Sequence, residues 1–222
     1  MWCAKPSGSY NINSAEAQNN MFEIYNMLSD SFTIEAVCGI LGNMGAESGW
    51  NPWRWQGDKY GLKRGYGLVQ FTPANGYLND YGVGITGYAP NLSPNGITSG
   101  ANVSDGEAQT YVIKFDLAGK YLDRRSWCTY YNLTNTYPFS NYKIITDLEE
   151  ATLAWLFNYE APADRSQSVG NYRYSIAQQC YTILTGTPPP TPTPPDPPYP
   201  PTPPPVPHGG LPMPLWMYLR KF

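Results

Sequence analysis

A run of prolines limits where this chain can form a compact fold. Fourteen of the 21 residues from Thr187 to Pro207 are proline. Because proline has no backbone N–H and a fixed φ, this segment cannot form the interior of a helix or a sheet. The sequence therefore predicts a folded domain at residues 10–186, a proline-rich linker at residues 187–210 and an apolar C-terminal peptide at residues 211–222.

The proline-rich linker is long enough to act as an extended spacer. As polyproline II it would reach on the order of 65 Å, at roughly 3.1 Å per residue. The peptide beyond it is apolar but includes the two cations Arg220 and Lys221. Two interpretations stay open for this peptide: a segment that docks on a partner protein, and a terminus without a partner.

The composition argues against two kinds of partner. The net charge is −3 and no basic run occurs, so a surface that follows nucleic-acid phosphates is not expected. No stretch reaches the roughly 18 apolar residues that a membrane span needs, and the first residues lack the apolar core of a secretory signal. Only 14% of the residues are charged. The many Asn, Ser, Thr and Tyr residues suit uncharged, hydroxyl-rich ligands such as saccharides.

Cysteine and histidine usage narrows the chemistry further. The cysteines Cys3, Cys38, Cys128 and Cys180 form no Cys-x-x-Cys pair, so a zinc site is not expected. A disulfide between Cys128 and Cys180 stays an open alternative. The single histidine, His208, lies in the tail, which excludes Ser-His-Asp, Cys-His and HExxH chemistry from the folded domain. Any catalysis is therefore expected to use carboxylates, without a metal or an organic cofactor.

Apolar residues recur at helical spacing along the folded domain, which predicts a mostly α fold. Capping-box patterns at Asn13–Glu16, Ser104–Glu107 and Thr146–Glu149 mark three helix starts, and another helix opens near Thr33. We expect the second of these boxes to open a helix that runs through Val112, Phe115 and Leu117, and the third to open one that ends near Tyr159. A last helix carries Tyr172, Ile176, Cys180 and Ile183.

Two segments of the domain lack periodicity. Residues 49–72 are rich in Trp, Gly and Tyr, and we interpret them as a small irregular or hairpin lip of a cleft. Residues 82–103 are rich in Gly, Asn, Ser and Pro. A loop of that length is typical of functional segments, so we interpret it as a lid at the cleft edge.

Glu47 is the residue most indicative of chemistry. It lies three residues beyond Met44 and seven beyond Ile40, so it continues the buried stripe of its helix and is expected to face the interior or a cleft wall. Burial disfavours a charged carboxylate, and so does the C-terminal end of the helix dipole. A carboxyl group that keeps its proton is what a general acid needs in cleaving a glycosidic bond. The alternative is a solvated glutamate at a helix end.

Three motifs occur in a fixed order along the domain. The first is Glu47-Ser48, the second is Gly67-Leu68-Val69-Gln70, and the third, at residues 155–164, includes Tyr159-Glu160-Ala161-Pro162. Together they resemble the lysozyme-like domains of phage tail and morphogenesis proteins, within the lysozyme and lytic transglycosylase superfamily. The resemblance extends from Asn19 to Leu184. It implies a lysozyme-like domain that cleaves the β-1,4 bond between N-acetylmuramic acid and N-acetylglucosamine in peptidoglycan, with Glu47 as general acid.

The second carboxylate of such a reaction is less clearly marked. Asp58 follows Glu47 in the irregular lip, as the second acid does in phage-type lysozymes, and it is our first candidate. Glu160 competes with it, although the family pattern implies a structural or substrate-contacting role there. Ala161 stands where the family pattern implies an arginine, so the local salt bridges are uncertain. Some relatives in the superfamily work with no second carboxylate.

Several residues are expected to contact the substrate. The Gln70 amide could bond both Glu47 and a sugar, Gly67 lacks a Cβ and lets a saccharide approach, and the Trp55 ring offers a flat face. Ser48 is better explained as a hydrogen-bonding residue at the helix end than as a nucleophile. The residues predicted to bind substrate are Ser48, Trp55, Gly67, Gln70, Tyr159 and Glu160.

The resemblance also implies a biological setting. A protein of this kind acts from the virion, where a phage tail opens the cell wall, and the linker and C-terminal peptide would attach it to other tail proteins. Three alternatives stay open. The reaction can be lytic transglycosylation, which leaves a 1,6-anhydro sugar; the protein can be a structural or wall-binding tail component without turnover; or it can act in lysis at the end of infection.

Overall fold

The computed structural model of this protein describes residues 2–5, 8–78, 105–122 and 138–190. Within these residues the fold is mostly helical, as the sequence predicts. They all lie in one compact unit, Met1–Thr191. The candidate lid at residues 82–103, most of the proline-rich linker and the C-terminal peptide lie outside the described residues.

The described helices are short to medium in length. None of them is both long and apolar enough to cross a membrane. Two irregular turns accompany them, a 3₁₀ turn at Gln56–Asp58 and a π-helical turn at Leu156–Glu160. In chain order the helices are α1 (Ala15–Leu28), α2 (Ile34–Glu47), α3 (Ala74–Gly76), α4 (Asp105–Lys114), α5 (Phe139–Tyr142), α6 (Leu148–Trp155) and α7 (Gln167–Thr185).

Side-chain caps explain where three helices begin. The Ser14 hydroxyl accepts the Ala17 N–H at 3.1 Å, and the Asp147 carboxylate accepts the Glu150 N–H at 2.8 Å. Both caps lie one residue later than the predicted box positions. Thr33 caps α2 as predicted. Each cap satisfies a backbone N–H that the helix itself cannot pair, which stabilises it by about 1 kcal/mol.

The prediction that the α4 helix runs through Phe115 and Leu117 is wrong, because α4 ends at Lys114. Asp116 takes a left-handed backbone conformation with φ of 47°. Its carboxylate accepts the backbone N–H groups of Lys120 and Tyr121 at 2.9 and 3.2 Å. Such local bonds compete with the helix and end it, although the apolar spacing continues in the sequence.

Helix α2 lies at the centre of the fold, packed against both α6 and α7. Two glycines allow this close approach. A Cβ at Gly39 would lie 2.8 Å from the Ala151 carbonyl carbon, and one at Gly42 would lie 2.7 Å from both the Ala177 Cβ and the Arg173 carbonyl oxygen. Only glycine fits these two contacts, and they fix the C-terminal end of α2 against its neighbours.

The lip, residues 49–72, is irregular, as predicted. Trp55 and Phe71 each form an isolated antiparallel bridge with Tyr66, and no longer strand occurs in the part of the chain that the structure describes. The lip is tied to α4 through the buried side chain of Gln109. Its Oε1 accepts the Leu68 N–H at 2.6 Å, and its Nε2 donates to the Pro52 carbonyl at 2.7 Å.

Two buried cysteines belong to the core. Cys38 and Cys180 are free thiols, and burial raises the pKa of both. Cys180 therefore does not form the disulfide with Cys128 that the sequence left open, and Cys128 lies outside the described residues. Both thiols act as small core side chains.

Candidate active site

The end of α2 forms part of a cleft of about 870 Å³. Glu47 lies on its wall, which confirms the orientation predicted from the helical stripe. The lip, the segment after α4 and the π-helical turn supply the other sides. The cleft is lined by Glu47, Arg54, Gln56, Gly57, Val69, Gln70, Thr72, Gly119, Lys120, Leu122, Tyr159, Glu160, Ala161, Pro162 and Ala163.

Glu47 forms an ion pair with Arg173 of α7. The Arg173 Nη2 donates to the Glu47 Oε1 at 2.5 Å, and the side chains are 9% and 25% exposed for arginine and glutamate. The Arg173 Nη1 also donates to the Oδ1 of the buried Asn43 at 3.2 Å. Asn43 in turn donates to the Thr152 carbonyl at 3.1 Å. The guanidinium is therefore held between α2, α6 and α7, while the carboxylate keeps access to the cleft.

Arg173 is not among the site residues predicted from the sequence, although a signal for it exists. Arg173 lies three residues before Ile176 and seven before Cys180, so it occupies the buried stripe of α7. A cation in such a stripe is rarely buried without a partner. The arginine expected at position 161 is an alanine with a left-handed φ of 50°. The guanidinium beside Glu47 comes from Arg173 on α7 and not from position 161.

Glu160 brings a second carboxylate to the same cleft. It ends the π-helical turn, and its Oε1 accepts the indole N–H of Trp155 at 3.2 Å. Burial, and after it the negative charge of Glu47, raise the pKa of Glu160 to about 7, against the opposing effects of the positive charges of Lys120 and Arg173 and of the Trp155 hydrogen bond. Near neutral pH this group is therefore present in both its protonated and its ionised form.

Tyr159 and Lys120 lie beside this carboxylate. The Tyr159 ring stacks on Trp155 with centroids 4.1 Å apart. Its hydroxyl is buried and has no hydrogen-bond partner among the described residues. The Lys120 Nζ lies 4.8 Å from the centre of the Tyr159 ring and 5.3 Å from that of Phe71. The cleft therefore contains a cation between two aromatic faces and an unsatisfied hydroxyl next to Glu160.

The Gly67–Gln70 segment supplies one cleft residue directly. Gln70 lines the cleft, and its Nε2 donates to the carbonyls of Arg54 and Gly67 at 3.2 and 3.0 Å. Gly67 does not line it. With a φ of 81°, Gly67 has the Gln109 side chain where a Cβ would lie. Its glycine is therefore explained by the fold of the lip.

Two of the predicted substrate-binding residues are buried away from the cleft lining. Ser48 is fully buried, and its hydroxyl lies within hydrogen-bond distance of the Met44 and Leu68 carbonyls, at 3.1 and 2.8 Å. This is the role at the helix end that the sequence favoured. Trp55 is also fully buried, with its ring 4.5 Å from that of Tyr66. Both residues shape the lip from within.

Asp58, the first candidate for the second carboxylate, lies outside the cleft lining. Its side chain is 44% exposed. Its Oδ1 accepts the Gly8 N–H at 2.7 Å and lies 3.7 Å from the Arg54 Nε. The structure thus brings together Glu47, Gln70, Tyr159 and Glu160 but not Asp58, Ser48, Trp55 or Gly67, and the catalytic and binding roles of all these residues stay predictions.

Among the described residues, no group of three or more His, Cys, Asp or Glu side chains is placed to hold a metal ion.

The chain is similar to known phage proteins. One relative, Morphogenesis protein 1 of Bacillus phage B103, is 45% identical over 62 residues, which cover 28% of this chain and 17% of that relative. The chain thus aligns with only a small part of the relative's length. The family described as phage tail lysozyme matches residues 19–184, which include every residue of the cleft. This chain belongs to the phage tail lysozyme family.

Proposed function

We propose that the protein hydrolyses the β-1,4 bond between N-acetylmuramic acid and N-acetylglucosamine in peptidoglycan, with Glu47 as the general acid. The observation that carries this proposal is the cleft, in which Glu47 shares one cavity with a second carboxylate, Glu160. Two carboxyl groups that flank a bound saccharide are the usual requirement for glycoside hydrolysis. Membership of the phage tail lysozyme family supports the same chemistry.

The lining of the cleft fits a saccharide. Its volume of about 870 Å³ falls within the range of about 300–1,000 Å³ that is usual for ligand sites. Amide, hydroxyl and backbone groups from Gln56, Gln70 and Thr72 offer hydrogen bonds to sugar hydroxyls. Val69 and Leu122 add apolar surface.

Arg173 has a defined part in the proposed step. As general acid, Glu47 gives a proton to the glycosidic oxygen as the C–O bond breaks and the bonding electron pair leaves with that oxygen. The carboxylate formed on Glu47 then lies 2.5 Å from the guanidinium. Since this cation is already in place, it stabilises the negative charge that develops during proton transfer. A water molecule attacks the anomeric carbon and loses a proton to a base.

The test is digestion of purified peptidoglycan by the wild type and by Glu47→Gln, with mass spectrometry of the released fragments. We expect reducing muramic acid ends from the wild type and a loss of rate of about 10²–10⁴-fold in the variant. Glu35→Gln, which changes a glutamate in the first turn of the same helix, is the matched control and is expected to keep wild-type activity.

Each outcome of this digestion is informative. Equal rates for the wild type and Glu47→Gln would contradict the role of Glu47. Release of 1,6-anhydro ends would replace hydrolysis with lytic transglycosylation. No release by either folded protein, on walls of several chemotypes, would favour a structural or wall-binding tail component.

The setting proposed for this activity is the virion. The family is one of phage tail lysozymes, and the relative from phage B103 is named a morphogenesis protein. The protein would open the cell wall locally at infection, with its proline-rich linker and C-terminal peptide attached to other tail proteins. Immunogold labelling of purified virions tests this: label at the tail supports it, and label absent from intact virions but present in lysates favours a role at the end of infection.

A further inference from the structure

We propose that Glu160, and not Asp58, is the second catalytic carboxylate, and that it acts as the base that removes a proton from the attacking water. This inference rests on the proposed glycosidase function. It assigns the group that the family pattern leaves in a structural or substrate-contacting role.

Glu160 is better placed than Asp58 to act on a substrate in the cleft. Glu160 lines the same cleft as Glu47, whereas Asp58 does not. The left-handed backbone at Ala161 ends the π-helical turn directly after Glu160. The Trp155 indole holds one carboxylate oxygen, Oε1, at 3.2 Å. In the described part of the chain no hydrogen bond to the other oxygen is found, so this oxygen can accept a proton from a water molecule in the cleft.

The charges around Glu160 also suit a base. Among the described residues, the charges that act on Glu160 are those of Glu47 at the end of α2, Arg173 on α7 and Lys120 in the segment after α4. Burial and the charge of Glu47 raise the pKa of Glu160 to about 7. A carboxylate with a pKa near neutrality is a stronger base than an ordinary glutamate, and part of it is ionised at neutral pH.

The two carboxyl groups together balance the protons of the reaction. Glu47 gives a proton to the leaving oxygen, and Glu160 takes one from water as its oxygen bonds to the anomeric carbon. The products are an ionised Glu47 beside Arg173 and a protonated Glu160. Exchange with solvent then returns a proton to Glu47 and removes one from Glu160 before the next turnover.

Tyr159, the neighbour of Glu160 on the π-helical turn, indicates a binding position on this side of the cleft. Tyr159 is 2% exposed and lines the cleft. Its hydroxyl is without a hydrogen-bond partner in the described part of the chain. A buried hydroxyl left unpaired is costly, and such groups in native proteins are often completed by a ligand or an ordered water. This unpaired group points to a binding position on the Glu160 side of the cleft.

The test compares wild type, Glu160→Gln and the matched control Asp58→Asn on soluble oligomers of alternating N-acetylglucosamine and N-acetylmuramic acid. We expect kcat of Glu160→Gln to fall by about 10²-fold or more, with KM changed less than about threefold. We expect Asp58→Asn to keep both constants. The pH profile separates catalysis from structure, because loss of a base removes the low-pH limb of a bell-shaped profile and leaves the high-pH limb.

The failures of the two proposals are distinguishable. An inactive wild type contradicts the proposed function itself. An active wild type contradicts the present inference if Glu160→Gln stays within about threefold in kcat, if it keeps the low-pH limb, or if Asp58→Asn loses that limb instead. If Glu160→Gln does not fold, Glu160→Asp replaces it: retention of the limb with kcat lowered by about tenfold supports a base moved back by one methylene, and unchanged kcat contradicts it.

Discussion

The two sides of the cleft are built in different ways. The helical wall, formed by the end of α2, the π-helical turn and α7, carries Glu47, Glu160 and Arg173 on elements packed through buried glycines. The lip has almost no regular structure and depends on hydrogen bonds between side chains and backbone, such as those of Gln109. The ionisable groups therefore lie where helix packing fixes their positions, whereas the lip supplies shape and neutral polar groups.

The substitution with the largest expected effect disrupts the packing of the helical wall. Gly42→Leu would place a side chain where a Cβ already lies 2.7 Å from Ala177 and from the Arg173 carbonyl. We expect the free energy of unfolding to fall by about 3 kcal/mol, because overpacking forces α2 and α7 apart. Urea unfolding measures this loss. Gly76→Ala, where a Cβ meets no atom within 4 Å, is the control, and an equal loss in both variants would contradict the role given to the close contact.

The next effect concerns the lip. Gln109→Leu leaves the Leu68 N–H and the Pro52 carbonyl without their buried partner. We expect a loss of about 2 kcal/mol in the free energy of unfolding, together with weaker substrate binding, since unpaired buried groups cost about 1–3 kcal/mol each. Unfolding and KM are the measurements. The exposed Gln179→Leu on α7 should change neither, and an unchanged KM in Gln109→Leu would mean that the lip does not shape the substrate site.

A smaller effect is expected in the pH dependence of stability, through Glu160 in the helical wall. An unfolded glutamate titrates near pH 4.3, whereas burial raises the pKa of the folded Glu160 to about 7. Between these values the folded state binds more protons than the unfolded state, so stability is lost as the pH rises. We expect a loss on the order of 1 kcal/mol in this window. Thermal unfolding at several pH values should show a shallower slope in Glu160→Gln, and an identical slope would contradict this titration.

The smallest effect is expected in the lip at Asp58. This carboxylate is 44% exposed, and its partners are the Gly8 N–H and Arg54. We expect Asp58→Asn to change the free energy of unfolding by about 0.5 kcal/mol, as is usual for exposed ion pairs. Thermal unfolding measures this change. A loss above about 2 kcal/mol would show that the contact between Asp58 and the N-terminal segment holds the lip in place.

The sequence predicted the helical side of the molecule better than the lip. Helical spacing and capping residues located α1, α2, α6 and α7, and the stripe ending at Met44 gave the orientation of Glu47, because such signals are local. The pairing of Glu47 with Arg173 spans 126 residues and depends on how α7 is rotated against α2. No local sequence pattern specifies that rotation. The only indication of the pairing is the position of Arg173 in the apolar stripe of α7.

The lip was harder because it has no periodic pattern. The sequence predicts that Trp55 offers its ring to a sugar, yet Trp55 is buried together with Trp50 and Trp53. Large aromatic residues in an irregular segment supply the core that regular elements provide elsewhere. Likewise, the choice between Asp58 and Glu160 required knowing which carboxylate faces the cleft, and this follows from turns that propensities do not specify.

The glycine contacts of α2 have a consequence for how this protein tolerates change. Gly42 lies five residues before Glu47, about 7.5 Å along the helix at 1.5 Å per residue. Because this contact lies close to Glu47, the proposed acid, we expect a small displacement of α2 there to move Glu47 relative to Glu160 before the protein unfolds. Mild substitutions along this face should lower turnover while the protein still folds, and efforts to alter substrate range are better directed at the lip.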